Sequence, residues 1–167
     1  MNEFAEWLST TAPSVYIQNH NAWVIPLIQS IHIVGIAVVF GSVFMLDLRI
    51  MGWAGIDQTL RQAANRYTPW MTGALYVLLV TGILMVVGEP VRELVTFSFW
   101  LKMFLVAVGT LIAAIFRVVL RKDAVTVNAG TKVLAMLTFL IWALIIILGR
   151  LIAYDHVWGP WSPSTKA

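Results

Sequence analysis

The chain has 167 residues, of which 60% are hydrophobic and 11% charged, with a net charge of +3, a pI near 9.5 and a mean hydropathy of +0.85. Soluble domains carry about a quarter charged residues, so the composition excludes that class and predicts an integral membrane protein with one domain over residues 1–167. The basic residues sit at the ends of apolar segments, a positive-inside pattern rather than a nucleic-acid surface. With no cysteine, thiolate metal sites, disulfides and covalent haem attachment are excluded as well.

The N-terminal stretch Met1 to Ser9 carries Glu3 and Glu6 and no Lys or Arg, which is not the pattern of a cleaved signal peptide. Residues 2–9 place Phe4, Trp7 and Leu8 on one helical side and the two glutamates on the other. That predicts a short interfacial helix ending before Pro13. A second short piece, Ser14 to Asn19, leads to Trp23 at the expected headgroup level.

Four apolar spans are predicted at about residues 22–46, 69–88, 97–120 and 132–154, each near the ~20 residues that cross ~30 Å of hydrocarbon. The first connection, Trp53 to Thr68, reads as a surface helix that enters the second span at Pro69, a favoured first helical position. Glu89-Pro90 ends the second span in a short loop, Arg121-Lys122-Asp123 opens the third connection, and the tail after Tyr154 reads as irregular. Short connections predict an all-α, up-down-up-down four-helix bundle. Arg49, Arg61 and Arg66 flank the first connection and Arg117, Arg121, Lys122 and Lys132 the third, which predicts that both termini face outward. Small residues, among them Gly35, Gly73, Gly82 and Gly109, allow close helix contact, and the third and fourth spans permit a homo-oligomer as readily as a lipid contact.

An ionisable side chain inside hydrocarbon points to function. His32 lies ten residues past Ala22, about 15 Å into the span at 1.5 Å per residue. Imidazole suits haem iron, and Gly35, one turn on, would leave room for a flat macrocycle. The other reading is a histidine that bonds across helices as structural glue. Lys102 and Arg150 lie toward the outer side of His32, where they could pair with two haem propionates or simply snorkel to the interface. No usual second axial ligand lies at the depth of His32; Met103 and Met85 are nearer the outer face, and an open coordination position is the alternative. Asp47 and the inner arginines read as a structural ion-pair cluster. His20 and His156 could share a surface metal, although solvated loop histidines suit both. The methionines are spread over four helices and read mostly as packing residues.

The segments WVIPLIQSIHIVGIAVVFGSVFMLDLRIMG, RYTPWMTGALYVLLVTGILM, FWLKMFL and LGRLIAY resemble a family of small bacterial four-helix membrane proteins of unknown function. More distantly, His32, Gly82 and Lys102 within matching hydropathy are similar to CopD-type copper-resistance proteins and to HemJ-type protoporphyrinogen oxidases, which bind haem b. The resemblance implies the bacterial inner membrane and a haem-binding bundle with His32 as ligand. The chain departs from the HemJ pattern in the third span, where Phe116 and Arg117 stand in place of a histidine.

Three functions are therefore weighed. The first is a b-type cytochrome that passes electrons between a quinone or other membrane partner and an acceptor at the outer face, with an oxidoreductase activity left open. The second is a copper-handling or copper-sensing protein, and the third is a structural subunit without cofactor.

Overall fold

The computed structural model describes residues 2–120 and 127–152. Within them the chain is helical, with seven helices: α1 (Asn2–Ser9), α2 (Ala12–Asn19), α3 (Asn21–Met51), α4 (Leu60–Gly88), α5 (Pro90–Leu94), α6 (Phe97–Leu120) and α7 (Ala129–Ile152). Four of these, α3, α4, α6 and α7, are long and apolar enough to cross a membrane. The third connection at residues 121–126 and the tail from residue 153, with His156 and the last two residues of the expected fourth span, lie outside the described residues.

The first two long helices extend beyond the apolar runs that predict them. α3 continues to Met51 and stops at Gly52, whose φ of +79° is a left-handed cap that costs little at glycine. α4 begins at Leu60 rather than at Pro69. Its N-terminus is a capping box, in which the Gln62 amide donates to Thr59 Oγ1 at 3.2 Å and the Thr59 amide donates to Gln62 Oε1 at 2.8 Å. The expected surface helix and second span are thus one element, with Pro69 inside it. Between α3 and α4, Arg49 Nε donates to the Gln58 carbonyl at 2.6 Å and ties the connection to the end of α3.

Proline starts helices elsewhere in the chain. Pro13 lies in the first turn of α2, and Pro90 opens α5 where a loop was expected. In both places the missing N–H falls where no intrahelical bond is needed.

α3 packs along α4 and α7, and α6 packs chiefly on α7, whereas α4 and α6 touch little. The bundle therefore has one open seam. At one end it is closed: Ile50 of α3, Ala64 of α4, Phe116 of α6 and Ala135 of α7 form a single buried cluster. In the middle, Val39 and Val43 of α3 pack with Ala74 of α4 and with Trp142 and Ile145 of α7. At the other end, Ala5 of α1 and Leu94 of α5 pack with Phe99 of α6 and Ile152 of α7, so the two short helices plug the seam. The Phe4 and Trp7 side chains of α1 point away from this plug, 53% and 60% exposed, while Ala5 is fully buried.

Candidate functional site

The seam between α4 and α6 widens into a cavity of about 430 Å³ under the α1–α5 plug, within the usual range for small-molecule sites. Leu75, Leu78 and Val86 of α4, Val106 of α6 and Ile145 of α7 supply much of its apolar wall. His32, Ile36 and Phe40, spaced by one helical turn along α3, back it, and Glu93 of α5 caps it. Its polar residues come from four helices: His32 from α3, Lys102 and Thr110 from α6, Trp142 from α7 and Glu93 from α5.

His32 is held by Thr81, with Nδ1 and Oγ1 2.7 Å apart. The Thr81 hydroxyl has a single proton, and it is donated to the Val77 carbonyl of its own helix at 2.7 Å. The hydroxyl oxygen must therefore accept, and the imidazole donates from Nδ1. In the neutral ring this fixes the tautomer and leaves the lone pair on Nε2, for which no protein hydrogen bond is found among the described residues. An imidazole bonded through one nitrogen, with the other left free at an apolar cavity, has the arrangement of a metal ligand oriented by its outer partner. Gly82 leaves space beside the ring: a Cβ there would lie 3.8 Å from His32 Cε1.

Lys102 and Glu93 form the charged side of the cavity. The lysine stem crosses α7 at Gly149, where a Cβ would lie 3.6 Å from Nζ, and the two residues are in electrostatic contact. Glu93 is only 5% exposed. Burial pushes its carboxyl above the usual range, against the opposing charges of Lys102 and Arg92, with Glu89 adding to the rise. Arg92 lies 3.5 Å from Glu93 and also pairs with Glu89. Trp142 is 4% exposed and its indole N–H has no protein partner among the described residues; the nitrogen packs against α6 at Gly109, where a Cβ would lie 3.3 Å from it.

Of the residues singled out from sequence, His32, Lys102, Met85 and Met103 line this one cavity. Gly35 does not. It faces α4, where a Cβ would come within 2.9 Å of Leu78 Cδ2, and it borders an open apolar groove on the α3–α4 face. Arg150 is exposed and is not among the residues that line the cavity. His20 is exposed too, with Nδ1 donating to the Tyr16 carbonyl at 2.9 Å. Among the described residues no cluster of three or more His, Asp or Glu could hold a metal ion. The ion pair expected for Asp47 is not formed within them: Arg49 is turned to Gln58, Arg66 lies over the Tyr67 ring at 5.9 Å, and Asp47 Oδ2 is buried without a partner.

Thr81, Glu93 and Trp142 were not singled out from sequence. Thr81 is 49 positions from His32, a pairing that depends on helix register. Glu93 could have been found, since Pro90 followed by an acidic residue is an ordinary helix start.

The chain belongs to DUF6644, a family of unknown function, whose profile matches residues 4–155. The match takes in most of α1, all of α2 to α7 and both sides of the seam. No curated protein and no solved structure was found to match.

Proposed function

We propose that this family member is a haem b-binding membrane cytochrome with His32 as an iron ligand. The observation that carries the reading is the Thr81-oriented imidazole, which leaves Nε2 free at an apolar cavity in the half of the bundle where α4 and α6 part. The residues present suit the group: a fixed imidazole, apolar walls and Lys102 as a charged donor for a carboxylate. Bound haem would supply one-electron chemistry. The chain's own part is to hold the imidazole in one tautomer, keep water from the cavity through the α1–α5 plug, and set the local charge through Lys102 and Glu93. Met85 and Met103 are the candidates for a second ligand. A quinone-type or other redox partner in the membrane and an acceptor at the plugged end complete this reading.

The reading includes an up-down-up-down order of the four spans, α1 lying in the interface, and both termini facing the outer side of a bacterial inner membrane. The meeting of Ile50 with Ala64 at one end, and of Phe99 with Ile152 at the other, supports that order. The outward-turned Phe4 and Trp7 support an interfacial α1.

One observation favours a second reading. His32, Met85 and Met103 line the same cavity, and imidazole with two thioethers is a donor set suited to Cu(I). The absorption spectrum of the detergent-purified protein separates the two. A Soret band with reducible α and β bands supports haem, whereas colourless protein that takes up Cu(I) supports copper handling.

A further inference from the structure

We propose that a second site, at the closed end of the bundle, binds one small monovalent cation, sodium, with Asp47 as its charged ligand. Asp47 lies fifteen residues beyond His32 on α3, about 22 Å along the helix, so this site is separate from the cavity above. It is 1% exposed, it has no ion pair among the described residues, and its Oδ2 is buried without a hydrogen-bond partner. A carboxyl buried in a span without a partner must either stay protonated or have its charge balanced by a cation, and the oxygens around Asp47 favour the cation.

The space beside it is shaped for one. Asp47 lines a cavity of about 20 Å³, with Ser42 of α3, Tyr67 and Thr68 of α4 and Thr138 of α7 on its polar side and apolar side chains, Met71 and Phe116 among them, on the other; this is enough for a single water-sized body. Two of these hydroxyls have already committed their protons: Ser42 Oγ donates to the Val38 carbonyl at 2.7 Å and Thr138 Oγ1 donates to the Leu134 carbonyl at 2.9 Å. Their oxygens are left as acceptors, as is the carboxylate. These oxygens suit a hard cation, which takes oxygen ligands. One carboxylate balances one positive charge, which favours a monovalent over a divalent ion, and the small volume favours Na⁺ over the larger K⁺. The ligands come from α3, α4 and α7, so the ion would join three spans where the bundle is tightest.

Thermal unfolding of the purified full chain in NaCl, KCl or choline chloride at equal ionic strength tests the proposal. The expected result is a Tm that rises and saturates with Na⁺, rises less with K⁺, and does not move with choline. Asp47→Asn should remove the Na⁺ dependence. Thr138→Val keeps the shape and removes one oxygen, and should move the Na⁺ midpoint about tenfold higher, the equivalent of about 1.4 kcal/mol. Should Asp47→Asn not fold, Thr138→Val decides alone. Equal Tm values in NaCl and choline chloride would mean that Asp47 is protonated and that the cavity holds no cation, and would overturn the proposal. So would a Na⁺ effect that survives Asp47→Asn, or a midpoint unmoved by Thr138→Val.

Discussion

At the scale of single residues, Thr81 sets the orientation of the His32 ring on which the candidate site depends. Its proton is committed to Val77, so it can only accept from the imidazole. Removing such an outer partner of a metal-bound histidine typically costs 10- to 100-fold in affinity. Thr81→Val, which preserves shape, should therefore weaken haem binding by about that factor in a haem titration while leaving the helix intact; unchanged affinity would show that the hydrogen bond does not prepare the ligand. Glu93 makes a prediction about pH. Burial raises its pKa in the folded protein, so between the ordinary value of 4.5 and the raised one the folded state binds more protons than the unfolded. Stability then falls as pH rises through that window and levels off above it. Glu93→Gln should flatten the fall, as read from Tm against pH, and an unaltered slope would assign it to other groups. The sequence singled out His32 and Lys102 because each interrupts an apolar run. Thr81 and Trp142 interrupt nothing: a threonine or tryptophan in a span is unremarkable until its hydrogen-bond partner, or the lack of one, is seen.

At the scale of elements, the four spans could be read from hydropathy alone, because each exceeds the length a bilayer needs. Their ends could not, because caps rather than hydropathy decide where a helix stops. The start of α4 illustrates this. Thr59-Leu60-Arg61-Gln62 is a capping-box sequence in plain view, yet Pro69, nine residues on, competes as a start signal. The capping box won, and α4 passes through Pro69 at the loss of one backbone hydrogen bond. Thr59→Ala should lower stability by about 0.5–2 kcal/mol, measured by reversible unfolding in mixed micelles, with the cavity undisturbed. No loss of stability would mean that the first turns of α4 contribute nothing to the folded state. α5 was hidden for a different reason: five residues are too few for a periodic pattern, and only Pro90 and the acidic Glu93 mark it.

At the scale of the whole molecule, the asymmetry between the two ends matters most. One end closes on Ile50, Ala64, Phe116 and Ala135, while the other parts at the α4–α6 seam and is plugged by α1 and α5. This difference could not be read from the sequence, because all four spans are similarly apolar and which pair fails to touch is a property of packing. The proposed orientation puts the plugged end outward. Cysteines at Thr10 and Asn128, both exposed positions, should then differ toward an impermeant thiol reagent in intact cells, with Thr10→Cys labelled and Asn128→Cys protected. Labelling of Asn128→Cys alone would invert the protein in the membrane.

The proposed cytochrome depends on His32 holding a haem in the seam. The most direct measurement is the reduced-minus-oxidised absorption spectrum of the purified protein, taken for the wild type, His32→Ala and His20→Ala. Soret, α and β bands are expected in the wild type and in His20→Ala, and their loss in His32→Ala. A wild type without these bands, or a His32→Ala protein with full haem content and unchanged band positions, would contradict that assignment.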